Sequence, residues 1–109
     1  MFIGKPDSPS DVISSEKTSD SITVSWTAGY DGGEDQWFIV SYLKINSGDQ
    51  ETFSEPITGG ENMHTITGLE GYTQYEARVY AENRIGRNPN YGINTVITMR
   101  EYCLFFSVL

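Results

Sequence analysis

The amino-acid sequence predicts an all-β fold, two antiparallel sheets built from seven short strands and packed face to face. Three observations carry that prediction. Apolar, β-branched and aromatic residues recur with a period of two in several stretches. Breaks rich in Gly, Asn and Asp separate those stretches. No stretch holds a helical period with caps at its ends.

Taken in order, Pro6 and Pro9 in "KPDSPSD" disfavour helix and sheet interior and read as a linker over residues 1–9. "DVISS" then opens the domain as a short strand. "SITVSWT" alternates, with Ile22, Val24 and Trp26 on one face and Ser21, Thr23, Ser25 and Thr27 on the other. "FIVSYLKI" places Phe38, Val40 and Tyr42 on one side and Ile39 and Leu43 on the opposite one. "QETFSE" is weaker and reads as an edge strand. "MHTITGL" sets His64 and Ile66 on one face. "YEARVYAEN" turns Tyr75, Ala77, Val79 and Ala81 inward and Glu76, Arg78, Tyr80 and Glu82 outward. "YGINTVITM" supplies the last strand, so the domain is expected over residues 10–100. Residues 101–109 remain as an apolar tail.

The totals narrow the function. At 109 residues the chain fits one domain, and 38% hydrophobic residues with 13% aromatics suffice for a core. A net charge of −8 argues against nucleic acid and anionic membranes as partners, since both need a cationic face. No apolar run approaches the roughly 18–20 residues a membrane helix requires, so this domain is not expected to insert directly. Met1-Phe-Ile-Gly-Lys5 lacks the basic and apolar regions of a signal peptide. The single Cys103 allows no internal disulfide, and no Asn-x-Ser/Thr acceptor is present.

Over about residues 6 to 99 the chain resembles a fibronectin type III domain. The likeness rests on the Pro6/Pro9 entry, Trp26 closing "SITVSW", Tyr42 in "FIVSY", and "ITGLEGYTQYEARVYAENRIG". In that last stretch Leu69 and Tyr75 stand six apart, and Asn83 and Gly86 match an Asn-x-x-Gly. Gly71 stands where the family often has Pro. The resemblance implies a seven-stranded immunoglobulin-like sandwich, with Trp26, Tyr42, Leu69, Tyr75 and Val79 as its structural core. It also implies a corner in which the Tyr75 hydroxyl reaches back to loop backbone. The stretch "WTAGYDGGEDQWFIVSY" is further similar to the corresponding loop in nephrin-like cell-adhesion receptors of the immunoglobulin superfamily.

Little points to chemistry. "YDGGED" offers Asp31, Glu34 and Asp35, but not the alternation of a calcium loop, and reads as a bend whose glycines accept positive φ. His64, the single histidine, has no nucleophile-and-orienter set around it. "ITGGEN" is followed by neither helix nor lysine and is read as a hairpin rather than a phosphate cradle. The expectation is therefore no catalytic residue, no metal and no cofactor. Protein contact is the alternative use of the surface. Arg84, Arg87 and Asn88 in "NRIGRNPNY", with Asp31 and Glu34 in the earlier loop, are the candidates, because these two loops project from the same end in related domains. The apolar tail, through Leu104, Phe105 and Phe106, is a candidate for self-association.

The expected function is a non-catalytic module of a cell-surface adhesion or recognition receptor, extracellular, acting as a spacer and a protein-binding surface. Its expected partners are neighbouring immunoglobulin-like or fibronectin type III domains and a cell-surface ligand. A module of an intracellular filament or scaffold protein, or a spacer in a secreted carbohydrate-active enzyme, stays open.

Overall fold

The computed structural model describes residues 3–58 and 60–99 of the chain. Eight strand segments follow one another: β1 (Ser10–Lys17), β2 (Ile22–Thr27), β3 (Trp37–Lys44), β4 (Thr52–Phe53), β5 (Met63–Ile66), β6 (Gln74–Asn83), β7 (Gly86–Arg87) and β8 (Gly92–Ile97). The one beyond the expected seven is β7, a two-residue return of the chain against the end of β6. One sheet has the order β1-β2-β5. The other runs β4-β3-β6-β7, with β8 also paired to β6. All pairings are antiparallel, so the fold is an all-β sandwich of three and five strands.

The alternation in the sequence explains the core. From β2 come Ile22, Val24 and Trp26, from β3 Phe38 and Val40, and from β6 Tyr75, Ala77, Val79 and Ala81; all are buried between the sheets. Trp26 is only 5% exposed, and its ring lies 5.4 Å from that of Phe38. Leu69 and Val96 close the far end, and Tyr42 packs half-buried against the cluster with its ring 6.2 Å from Tyr75. The Tyr75 hydroxyl accepts a hydrogen bond from the Glu70 backbone N–H at 3.0 Å, which fixes the turn before β6. Strands β3 and β6 pair without interruption from Trp37↔Glu82 to Lys44↔Tyr75, making the spine of the larger sheet.

Two details depart from the sequence expectation. Residues 4–9, read as linker, pack onto the domain, with Pro6 and Pro9 both buried. Gly4 N–H donates to the Gly32 carbonyl at 2.9 Å, and Asp7 N–H to the Tyr30 carbonyl at 2.8 Å. A proline cannot donate to a ladder, but it can still bury its ring; here Gly4 before Pro6 and Asp7 after it make the bonds. The second departure is the outer face of the larger sheet, where Ile39, Ser41 and Tyr80 are buried although their alternation points them to solvent.

Entry and exit lie at opposite poles. Gly4 sits beside the loop after β2, whereas Met99 N–H donates to the Thr18 carbonyl and Tyr72 N–H to the Met99 carbonyl at the other end. Leu104, Phe105 and Phe106 lie outside the described residues.

Candidate protein-contact surfaces

At the entry pole the chain bends through Asp31-Gly-Gly-Glu34. Gly32 and Gly33 take φ of 80° and 92°, and the Gly33 N–H donates to the Asp31 carboxylate at 2.8 Å. A side chain at Gly32 would strike the Gly4 carbonyl, since its Cβ would lie 2.2 Å away. Asn83, 2% exposed, holds this pole together. Its Nδ2 donates to the carbonyls of Gly4 (2.8 Å) and Asp31 (2.9 Å), while its Oδ1 accepts from the N–H groups of Ile85 (2.9 Å) and Gly86 (3.2 Å). The Asn-x-x-Gly spacing thus serves three segments at once: the entry, the bend after β2 and the β6–β7 turn.

On this rigid base the Arg84 guanidinium pairs with the Glu34 carboxylate, and that hydrogen bond raises the arginine above its ordinary range. Tyr30 and Ile85 stand exposed nearby. Asp31, Glu34 and Arg84 are therefore brought together. Arg87 is not with them, because the chain reverses at Gly86 and returns it to the sheet opposite Glu82. Asn88 serves the turn, donating to the Pro6 carbonyl at 2.9 Å and accepting from Asn90 N–H at 2.9 Å. Among the described residues no three His, Cys, Asp or Glu side chains converge as metal ligands.

A second surface lies on the outer face of the larger sheet, and it explains why Tyr80 is buried. The guanidinium of Arg87 lies 5.1 Å from the Tyr80 ring centre and 5.7 Å from that of Phe53, while Arg78 lies 4.7 Å from that of Tyr91. Tyr80 and Tyr91 pack at 5.1 Å. Carboxylates hold the ladder in register. Glu82 accepts from Arg87 (2.9 Å) and from Trp37 Nε1 (2.7 Å), and Glu76 accepts from Arg78 (2.6 Å). Glu51 takes three donors, Arg78 (3.1 Å), the Tyr80 hydroxyl (2.8 Å) and the Ser41 hydroxyl. Burial first, and then the Glu51 hydrogen bond, push the Tyr80 phenol up. Burial works against the Arg78 charge, but the Glu76 hydrogen bond and the neighbouring carboxylates outweigh it and hold the guanidinium firmly protonated. Cation over aromatic ring contributes roughly 0.5–1 kcal/mol at an exposed site and more where water is excluded.

This ladder was missed in the sequence. The signal available was the outward row Glu76, Arg78, Tyr80, Glu82, in which acids flank a cation and a ring, together with Glu51 and Phe53 in the weak strand. Replacing Glu51 with alanine is expected to leave three donors without an acceptor and to lower stability by about 1–3 kcal/mol, measured as a lower urea midpoint. A loss within error would mean that water serves those donors equally well.

His64 occupies a cleft between β4 and β5 with Tyr42, Phe53 and Ile66, and burial lowers its pKa below the ordinary 6.5. Above that range the ring is neutral in both folded and unfolded chains. As pH falls through the window, the unfolded chain takes up a proton first, so stability is lost. The expected result is a urea midpoint that starts to drop as pH falls through the ordinary imidazole range, with a shallower drop in His64→Gln.

A family model, "Fibronectin type III domain", matches residues 7–96. Tyrosine-protein phosphatase Lar of Drosophila melanogaster is 40% identical over 86 residues, 77% of this chain and 4% of that protein. Protein turtle homolog B of Homo sapiens is 34% identical over 70% of the chain, and a Protein sidekick homolog of Caenorhabditis elegans 36% over 76%. The chain spans 4–6% of the length of these relatives. Among solved structures, domains A168–A170 of titin superpose with a TM-score of 0.75 at 28% identity, covering 88% of this chain and 33% of that one. The fibronectin type III domain of human fibronectin type III domain containing protein 3 gives 0.74 at 18% identity, with 94% of each chain covered.

Proposed function

We propose that this chain, which belongs to the fibronectin type III family, is a non-catalytic, extracellular module of a cell-surface adhesion or recognition receptor. The observation that carries the protein-contact role is the entry pole, where Asn83 ties two loops and the incoming chain into one rigid platform. A platform already ordered before binding loses little conformational entropy when a partner arrives. Tyr30, Ile85 and the Arg84–Glu34 pair are what it presents. The receptor setting draws its support from Lar, turtle and sidekick among the relatives, and from the loop likeness to nephrin-like receptors. The phosphatase activity in the first of those names does not transfer, because only 4% of that protein is matched.

Titin among the structural neighbours favours a second reading, a module of an intracellular filament or scaffold protein. An antibody to the domain separates the two. Staining of intact cells supports the receptor, and staining only after permeabilisation supports the filament. For the contact role, a multimerised form of the chain is applied to a panel of receptor ectodomains. Tyr30→Ala combined with Ile85→Ser is expected to abolish whatever binding is found while leaving thermal unfolding within a few degrees. Binding that survives both substitutions would remove the entry pole from the account.

A further inference from the structure

One side of the sandwich is open between the two sheets. Among the described residues β5 pairs only with β2 and β4 only with β3, so no strand bridges that side. The His64 cleft lies in the gap, with a volume of about 250 Å³. A second cleft of about 190 Å³, walled by Leu43, Asp49, Gly68 and Leu69, shares Tyr42 and Thr52 with the first. The two form one groove along β5 that leads to the exit pole. Trp26 N–H donates to the Asn62 carbonyl, so by alternation the backbone groups of His64 and Ile66 face β2 and those of Met63 and Thr65 face the groove. β5 thus has a free edge whose ladder groups no strand takes up. Apolar side chains stand uncovered on either side of it, Phe53 at 49% and Met63 at 56% exposed.

The chain passes the mouth of this groove as it leaves the sandwich. The Thr98 hydroxyl donates to the carbonyl of Glu70 at 2.6 Å, and Glu70 lines the exit-pole end of the groove. The Met99 carbonyl accepts from Tyr72 N–H, two residues further on. Ten residues follow Met99 in the sequence, and Cys103–Leu109 among them carry no charged side chain, in a chain whose net charge is −8. The six residues Leu104–Leu109 equal in number the six from Met63 to Gly68 that flank the groove. An extended chain covers about 3.3 Å per residue, so both stretches span about 20 Å. Arg100–Cys103 are left over to make the turn between the exit and the groove.

We propose that the chain's own apolar tail, residues 104–109, occupies this groove as a strand antiparallel to β5. β5 runs toward the exit pole and the tail runs back from it, so the antiparallel sense follows from the two directions. With Ser107 beside Thr65, Leu109 stands beside Met63 on the outer face. Leu104, Phe106 and Val108 then turn inward, over Tyr42, Ile66 and His64. The free groups of Met63 and Thr65 gain partners, and the apolar walls of the groove lose their water. The tether decides in favour of the chain's own tail. A segment joined through four residues is present at an effective concentration of about millimolar. A second copy brings another net charge of −8 toward the first and is repelled.

The test compares the full chain with a full-length variant carrying Phe106→Asp and Val108→Asp, both reduced so that Cys103 cannot crosslink copies. The two substitutions leave every residue of the two sheets in place, and the charges keep the tail out of an apolar groove. Amide exchange at Met63 and Thr65 should be about tenfold slower in the wild type than in the variant. Resonance differences between the two should gather at Tyr42, His64 and Thr65. Light scattering should give the monomer mass of 12.2 kDa for both. Equal exchange at Met63 and Thr65 overturns the proposal. So do resonance differences that gather on another face. Protection that appears only at concentrations where the mass doubles overturns it too, because the tail would then fill the groove of a second copy.

Discussion

Trp26→Ala will lower the unfolding free energy by about 3–5 kcal/mol, the range for deleting a large aromatic ring from a core. The indole is almost fully enclosed and packs against Phe38 between the two sheets, so no neighbour can collapse into its place without moving a strand. For a domain of this size each kcal/mol shifts the melting temperature by about 4–8 °C, so calorimetry should record a fall above about 10 °C. Trp26→Phe is a useful companion. The indole Nε1 is buried without a hydrogen-bond partner, so phenylalanine removes volume but breaks no polar contact. Its cost should be clearly smaller than that of alanine. A Trp26→Ala loss under about 1 kcal/mol would show that the core rests elsewhere.

Asn83→Ala is the second large effect, expected at about 2–4 kcal/mol. It strips partners from four backbone groups at once, two carbonyls and two N–H groups, and each buried group left without a partner costs about 1–3 kcal/mol unless water reaches it. Asn83→Asp keeps the shape but turns a carboxylate oxygen toward the carbonyls of Gly4 and Asp31, so it should be no better tolerated. Amide hydrogen exchange should rise at Gly4, Ile85 and Gly86 together, since one side chain holds all three segments. Protection retained at Gly4 would separate the entry segment from the latch.

Much of this core was legible because a period of two is a local property. Ile22, Val24 and Trp26 declare a face within five residues, and no distant partner is needed to read it. The latch was not legible in the same way. The position of Asn83 matched a pattern, but its hydrogen-bond partners lie 79 and 52 residues away. The outer ladder failed for a related reason. Tyr80 reads as solvent-facing from its own strand, and only the register that sets Glu51, Phe53, Tyr91 and Arg87 around it reveals the burial. Arg84 and Arg87 stand three apart in one loop of the sequence, yet the reversal at Gly86 sends one to the loop platform and the other to the sheet.

The placement of entry and exit at opposite poles bears on how the domain answers a pull. Tension applied through Gly4 and Met99 runs lengthwise along β1 and β8, across ladders whose hydrogen bonds lie perpendicular to the strands. Those bonds are then strained all together in shear instead of parting in succession like a zip. The first resistance comes from the Gly4–Gly32 and Gly4–Asn83 contacts, and the long β1–β2 and β6–β8 pairings stand behind them.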